Sequence, residues 1–370
     1  MAVMGVSSIT PAFPRIIQTL GATQGQIGLL ITFFTLPGVI LAPVLGVMAD
    51  RFGRKRILGP SLFLFAFAGM ACAFARDFNL LLILRAFQGI GGASLGSLNT
   101  TIIGDIYSDG RRSEAMGLNS SVLSIGTAFY PAIGGALALI AWYYPFLLPI
   151  IALPIGILVL TTLESPEPQS HQSLKKQLIG TWGYLKNISV LSLFTASIIT
   201  FLLLYGTILT YFTLLLADIF NASSFIIGLM FTVMSLATAA VSWQLGAINR
   251  KVSLGTIIRL SFVFYGVAFI LIPYMPNIWW LLVPMIIYGI GHGGNIPGLH
   301  TAIASAAPLE YRAAFMSLNA TVLRLGQTIG PPIMALIYIG YGFEEIFIVS
   351  GIIALLTAAV AFVYTLKMAK

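Results

Sequence analysis

Apolar residues fill runs of about 20 residues along most of the chain, and short groups of charged residues, glycine or proline separate these runs. A helix of that length crosses a bilayer, whereas the strands of an outer-membrane barrel alternate over about ten positions. The pattern therefore predicts an all-α polytopic membrane protein with twelve transmembrane helices. The predicted spans cover about residues 1–18, 25–47, 57–76, 79–103, 115–140, 143–163, 190–216, 224–247, 256–275, 278–302, 313–340 and 344–366.

The longest polar stretch lies near the middle of the chain, at residues 164–186, and contains prolines, a histidine and lysines. Such a composition is typical of a linker between domains. We predict an N-terminal six-helix bundle at residues 1–163, a cytoplasmic linker at 164–189 and a C-terminal six-helix bundle at 190–370.

The first predicted span starts directly at Met1 with apolar residues, and Pro11 and Pro14 lie at its outer end. A signal peptide would carry a basic leader and a small-residue cleavage site, which this segment lacks. We therefore expect the first helix to be truncated, with its true start upstream of Met1.

Charge is scarce and lies mostly at the ends of the predicted spans. Of the 370 residues, 58% are apolar and 8% are charged, against about a quarter charged in soluble domains. The net charge of +8 raises the alternative of a nucleic-acid partner, but basic residues at span ends argue against one. Cys72 is the single cysteine and lies in an apolar run, so we expect no disulfide framework and no metal site.

Lysine and arginine residues predict the orientation in the membrane, because they resist translocation. If the loop at residues 50–56 is cytoplasmic, fourteen of them fall in inside loops or the tail, and two, Arg15 and Arg76, fall outside. We therefore expect a multi-pass protein of the cell membrane with both termini in the cytoplasm.

The two halves of the chain repeat each other at a shift of 200 residues. The shift aligns Gly28 with Gly228 and produces eight identities within twenty positions near the fifth and eleventh spans. Shared hydrophobicity does not explain matching arginine, asparagine, glycine and proline in one register. Two similar bundles can rock about a central cavity, as in alternating-access transporters, whereas a channel has no use for rocking halves. The matching residues are Arg112, Met116, Leu118, Asn119, Val122, Leu123, Gly126 and Pro131 with Arg312, Met316, Leu318, Asn319, Val322, Leu323, Gly326 and Pro331.

Three motifs resemble those of the major facilitator superfamily, and within it those of the drug–proton antiporter (multidrug efflux) branch. The stretch GVMADRFGRK at residues 46–55 resembles the signature loop between spans two and three, and RAFQG at residues 85–89 resembles the fourth-span motif. The fifth span resembles the antiporter motif, with Tyr130 in place of the usual glycine before Pro131.

The resemblance implies a gate at the cytoplasmic face. The matching acid in the family lies beside a helix of the opposite half, so we expect Asp50 to contact the positive N-terminus of span eleven and to stabilise the outward-open state. The basic residues also hold the loop in the cytoplasm, which is a sufficient reason for their presence but not for that of Asp50. The expected gating residues are Gly46, Asp50, Arg51, Gly53, Arg54, Arg112 and Arg312.

Polar residues within the spans are candidates for coupling or for a substrate cavity, because such residues are costly in a bilayer. Spans one, four, seven and ten line the cavity in the resembled family. Each candidate has a simpler alternative: Arg85 can snorkel outward, His292 and Tyr205 can be packing residues rather than a proton relay or an aromatic wall, and the asparagines can join neighbouring helices. The candidates are Arg85, Gln88, Asn99, Asn119, Tyr205, His292, Asn295 and Arg324.

Small residues and prolines in the spans predict close helix packing and kinks. Gly289, Gly291 and Gly294 also match GxGxxG, but no strand precedes them, so we reject a nucleotide site. The expected packing residues are Gly89, Gly126, Pro131, Gly134, Gly135, Gly330 and Pro331.

The chain lacks a phosphate-binding loop, which argues against an ATP-driven pump or another enzyme and for energy from an ion gradient. All eleven acids fall at span ends or in loops, so a neutral or anionic substrate is at least as plausible as a cation. We predict proton-coupled efflux of small amphipathic molecules by a monomer, with a small-molecule substrate, protons and the lipid bilayer as partners and no cofactor. A sugar or other metabolite permease is the alternative within transport, and a non-transporting membrane receptor or scaffold is the alternative from another class.

Overall fold

The computed structural model describes residue 1 and residues 3–107, 109–163, 187–307 and 312–368. The described residues form helices and connections and contain no strand. Grouped by span, the helices of the described residues form twelve segments, as predicted. They are α1 (Met4–Ser7, Thr10–Ala12 and Phe13–Leu20), α2 (Gln24–Phe52), α3 (Arg54–Cys72), α4 (Phe78–Ile106), α5 (Asp109–Ile140), α6 (Tyr144–Thr162), α7 (Ile188–Asp218), α8 (Ser224–Asn249), α9 (Leu254–Tyr274), α10 (Leu282–Ala306), α11 (Arg312–Tyr341) and α12 (Phe343–Met368).

Ten of these helices are long and apolar enough to cross a membrane. The other two are α1, which is divided into short pieces, and α10, which has 25 residues but carries glycines, two histidines and an asparagine in its apolar sequence. The all-α fold predicted from hydropathy is therefore confirmed.

The connection between α2 and α3 is shorter than the loop predicted from its charges. Helix α2 continues to Phe52 and α3 begins at Arg54, so Gly53 alone joins them. The backbone of Gly53 has φ +95°, a conformation that residues with a Cβ rarely adopt. Asp50 therefore lies in the last turn of a helix and not in a loop.

Equivalent residues of the repeat form equivalent contacts between the two halves. Gly28 of α2 lies directly against Pro331 of α11, and its repeat partner Gly228 of α8 lies directly against Pro131 of α5. A Cβ atom at either glycine would overlap the proline residue opposite. The same glycine and proline of the repeat thus form both contacts, which explains why these residue types match at a shift of 200.

The halves meet most closely at the end of the molecule away from Arg54 and Arg250. We call the end that carries these two residues the basic end and the other the opposite end. At the opposite end the Gln24 side chain donates to Asp218 and accepts from the Tyr338 hydroxyl, so α2 is tied to α7 and α11.

Toward the basic end the packing opens. A Cβ atom at Gly46, Gly96, Gly117 or Gly246 would meet no atom of the described residues within 4 Å. The basic half of α5 is exposed on most sides, and its Val122 side chain is 67% exposed. The two halves therefore touch at the opposite end and part toward the basic end.

Helices α4 and α7 depart from regular geometry near the middle of the membrane-spanning region. Helix α4 is interrupted after Gly92 and resumes at Leu95. Helix α7 contains a π-helical segment at Leu203–Phe212, where the Thr210 hydroxyl donates to the Tyr205 carbonyl at 2.8 Å. Such segments are rare in helices and are often found at functional sites.

The predicted linker at residues 164–189 lies outside the described residues, except for its last three positions. Of these, Asn187 caps α7 by accepting a hydrogen bond from the Ser189 backbone at 2.9 Å.

Candidate functional site

Arg324 of α11 crosses from the C-terminal half to the N-terminal half. Its Nη2 donates to the carbonyl oxygen of Ala93 at 2.8 Å and to that of Gly92 at 3.4 Å. These carbonyls lie at the interruption of α4, where the last carbonyl groups of a helix lack donors within the helix. Arg324 therefore caps a broken helix of the opposite half.

The guanidinium of Arg324 needs a glycine opposite it. Its Nη1 packs so closely on Gly38 of α2 that a Cβ atom there would overlap the guanidinium. One turn further along α11, Thr328 accepts a hydrogen bond from Thr32 through its carbonyl, at 2.9 Å. The Thr328 hydroxyl lies 2.8 Å from the Thr35 hydroxyl. A row of polar contacts thus joins α2 to α11 on one side of Arg324.

Arg85 of α4 is buried within the N-terminal half. Its Nε donates to the Leu30 carbonyl at 3.1 Å and its Nη1 donates to Gln88 Oε1 at 2.6 Å. The guanidinium also lies over the Phe34 ring, 4.3 Å from the ring centroid. Its zero exposure does not fit the alternative of outward snorkelling, and it faces no open cavity in this conformation.

His292 lies between α9 and α10 among aromatic rings. Its Nδ1 is 2.7 Å from the Tyr265 hydroxyl, and its ring stacks on Tyr288 with centroids 5.6 Å apart. Asn295, one turn away, is buried and accepts a hydrogen bond from Thr200 of α7 at 3.4 Å. These contacts fit packing in the C-terminal half, and a proton relay at His292 remains a prediction.

The remaining cavity candidates join neighbouring helices or pack in the core. Asn99 of α4 donates to Asn119 of α5 at 2.6 Å, so these two residues join helices of one half, as the simpler alternative expected. Tyr205 lies in the π-helical segment of α7, is 7% exposed and stacks on Phe201 with centroids 6.0 Å apart.

Of the expected gating residues, Asp50, Arg51 and Arg54 lie together at the basic end of the N-terminal half. Arg54 pairs with Asp50 across 3.5 Å and forms a second ion pair with Asp105 at the end of α4. Arg51 lies over the ring of Phe52, 5.5 Å from its centroid.

These ion pairs lie within one half, whereas the expected contact of Asp50 was with the start of α11. The side chains of Arg112 and Arg312 lie outside the described residues. In a conformation whose halves part at the basic end, such a contact is not expected to be formed.

The predicted packing residues lie where helices approach closely. Gly89 faces the Phe34 backbone and Gly134 faces Ser8, next to α1. Gly126 differs, because its near neighbour is the Tyr130 ring of its own helix.

The packing residues of α5 and α11 also touch other helices. Gly135 and Pro131 touch α8, whereas Gly330 and Pro331 touch α7 and α2. The motif residues of α5 and α11 therefore face both their own half and the opposite half.

Sequence reasoning missed several residues that connect the halves. Threonine and glutamine within spans carry no distinctive signal, and Gly38 is one of 37 glycines. Asp105 could have been found most easily, because it lies at the end of α4 on the same predicted side of the membrane as Arg54. Asp105 pairs with Arg54 within the N-terminal half. The missed residues that connect the halves are Gln24, Thr32, Thr35, Gly38, Asp218, Thr328 and Tyr338.

The chain is similar in sequence to several known proteins. The chain is 26% identical to the quinolone resistance protein NorA of Staphylococcus aureus (strain COL) over 342 residues, which cover 90% of this chain and 86% of NorA. It is 25% identical to the bacillibactin exporter of Bacillus subtilis (strain 168) over 352 residues, with the same coverage.

The fold is similar to the crystal structure of the nucleoside transporter NupG, with a TM-score of 0.82 over 98% of this chain and 96% of that chain at 15% identity. The family model of the Major Facilitator Superfamily matches residues 1–217 and 193–370. This chain therefore belongs to the major facilitator superfamily of membrane transporters.

Proposed function

We propose that this transporter exports small amphipathic molecules in exchange for protons by alternating access. The contact pattern between the halves is the observation that carries the proposal. Gly28 with Pro331 and Gly228 with Pro131 hold the opposite end closed, whereas the basic end is open. If the basic end is cytoplasmic, as the distribution of lysine and arginine predicts, this is an inward-open conformation.

Two features support export and proton coupling. The names of the two relatives, a resistance protein and an exporter, support efflux rather than uptake. Histidine is the residue type most often used to transfer protons, and the hydroxyl of Tyr265 lies 2.7 Å from Nδ1 of His292. We assign His292 as the candidate proton relay, because the acids of the described residues lie at helix ends.

The ion pairs at the basic end fit the open phase of a gate. Arg54 holds Asp50 and Asp105 within the N-terminal half. When the basic end closes, Asp50 would approach the start of α11, where the N-terminus of the helix favours a carboxylate. This exchange of partners would stabilise the outward-open state.

Flux in proteoliposomes tests the proposal. We would use three fluorescent probes with one dansyl group and different charge: dansylglycine, dansylglycinamide and dansylethylenediamine. A pH gradient should drive at least one probe against its own gradient, and a protonophore should abolish this flux. Flux that ignores the pH gradient would indicate a facilitative permease, and absence of both flux and probe binding would indicate a non-transporting protein.

Cross-linking tests alternating access separately. Thr101 and Thr301 are repeat partners that are both exposed toward the basic end, and Cys72 is the single native cysteine. In a Cys72→Ser background, a cleavable linker between Thr101→Cys and Thr301→Cys should stop flux, and reduction of the linker should restore it. Turnover that continues with the linker in place would contradict rocking halves.

A further inference from the structure

Arg324 carries a full positive charge in the span region, and its hydrogen-bond partners among the described residues are neutral. The carbonyls of Gly92 and Ala93 engage Nη2, one of the atoms that supply the five N–H donors of a guanidinium. The C-terminus of the first piece of α4 offers a partial negative charge equivalent to about half an elementary charge. The charge of Arg324 is therefore only partly compensated.

The carboxylates of the described residues do not complete this compensation. Asp50, Asp105 and Glu114 lie within two turns of a helix end on the basic side, and Asp77, Asp218, Glu344 and Glu345 lie at helix ends on the opposite side. A poorly compensated guanidinium in a low dielectric favours the approach of an anion. A small molecule that enters between the halves can supply one.

The surroundings of Arg324 suit an amphipathic molecule. The side chain is partly exposed, unlike that of Arg85, and lies on the side from which the halves part. Phe201, which stacks on the buried Tyr205, is partly exposed, packs against Gly326 of α11 and offers an apolar ring on the side of Arg324. Arg85 offers no such access, because the Phe34 ring covers it.

We propose that Arg324 binds the anionic group of the substrate in exchange for the carbonyls of Gly92 and Ala93, so that the transporter prefers amphipathic anions such as carboxylates. This inference rests on the proposed function and specifies its substrate class. A carboxylate accepts two parallel N–H bonds from an arginine, and such bonds are stronger than those to a neutral carbonyl. Binding would also release a contact between the halves, which links substrate recognition to their rocking.

Binding of the three dansyl probes to the purified protein in nanodiscs tests the inference without requiring flux. The signal of empty nanodiscs is subtracted. Wild-type protein should bind anionic dansylglycine about tenfold more tightly than neutral dansylglycinamide or cationic dansylethylenediamine, as expected for one charge-assisted contact. Arg324→Gln should remove this preference and leave the affinity for dansylglycinamide within about twofold. Arg324→Lys should retain part of the preference, because the charge remains and the planar fork is lost.

Gly38→Ala provides a second variant that moves the guanidinium and keeps its charge. The new methyl group overlaps Nη1, so the side chain must leave its position and the preference for dansylglycine should fall several-fold. Gly340→Ala is the matched control in α11, where a methyl group meets open space, and Arg259→Gln is the charge control in α9. Both controls should keep the wild-type preference.

The outcomes separate this inference from the proposed function. Equal or tighter binding of dansylethylenediamine, or an unchanged preference in Arg324→Gln, would overturn the role of Arg324 while leaving pH-driven flux intact. Selective binding of dansylglycine that depends on Arg324, without pH-driven flux of any probe, would support the site and contradict proton-coupled export.

Discussion

Arg85 and Arg324 are both arginines within the spans, but the structure accommodates their charges in different ways. Arg85 is held inside one bundle by a carbonyl, an amide and an aromatic ring, so in the proposed mechanism its contacts persist as the bundle moves as a rigid body. Arg324 is held by the backbone of the opposite bundle, so in the proposed mechanism its contacts must change as the halves rock. Burial alone therefore does not show which arginine changes its contacts between conformations. The half of the protein that supplies its hydrogen-bond partners does.

The largest effect is expected at Arg85. In Arg85→Met we expect flux of the preferred probe to fall more than about tenfold, because a buried charge without a counter-ion is retained for function. The melting temperature should stay within about 4 °C of wild type. Relief of several kcal/mol of desolvation offsets the loss of two charged hydrogen bonds, each worth about 1.5–3 kcal/mol, and of the contact with Phe34.

Arg259→Met is the matched control for this experiment. Arg259 bonds to Gly255 and Thr256 of its own helix near the basic end, and its removal should change flux little. Thermal unfolding in detergent and flux in proteoliposomes would be measured on the same preparations. Full flux in Arg85→Met, or a melting temperature lower by 10 °C or more, would show that Arg85 is a structural residue.

Some parts of this site could be predicted from the sequence, and others could not. Hydropathy predicted the spans, because each must bury its backbone in an apolar layer. The repeat aligned Gly28 with Gly228, and the structure gives the two glycines equivalent contacts. The partner of Arg324 could not be predicted, because it is a pair of backbone carbonyls freed by the interruption of α4. Gly89 and Gly96 lie in uninterrupted parts of the same helix, so glycine alone does not mark the break.

The direction in which a polar side chain points could not be predicted from the sequence either. His292 occupies a helix predicted to line a cavity, yet it stacks on Tyr288, one turn before it, and approaches Tyr265 from α9. The neighbours that decide this orientation are aromatic residues whose sequence pattern resembles that of any apolar span. The contact of Asp50 with Arg54 was predictable from their spacing of four residues on a helix, once Asp50 was known to be helical.

A moderate effect on flux is expected at Asp50. Its contacts stay within one half, as those of Arg85 do, or cross between the halves, as those of Arg324 do, depending on which half supplies its partners. Here its ion pair lies within one half, as for Arg85. If it bridges to α11 when the basic end closes, Asp50→Asn should lower flux about fivefold, since about 1 kcal/mol at a helix N-terminus shifts a balanced equilibrium by that factor. Membrane expression and melting temperature should not change, because exposed ion pairs contribute little to stability.

Distances between spin labels at Thr101→Cys and Thr301→Cys measure the same shift directly. Asp50→Asn should increase the population with long distances, in which the basic end is open. Asp77→Asn serves as the control at the opposite end, since asparagine caps the first turn of α4 as well as aspartate does. Normal flux with an unchanged distance distribution would place Asp50 with Arg85, as a residue whose contacts stay within one half.

The smallest effect is expected for Asn99 and Asn119, which form an uncharged hydrogen bond within one half. A double-mutant cycle with Asn99→Ala and Asn119→Ala should give a coupling free energy of about 0.6 kcal/mol, the average for hydrogen bonds between membrane helices. Ser124→Ala, which removes a hydroxyl bonded to the Ser120 carbonyl of its own helix, should show no coupling to Asn99→Ala. Each variant should transport at the wild-type rate, because the Asn99–Asn119 hydrogen bond does not cross between the halves. A coupling free energy above about 2 kcal/mol, or a loss of flux in either single variant, would mean that neutral contacts within one half also change during transport. The half that supplies a residue's partner would then no longer explain the difference between Arg85 and Arg324.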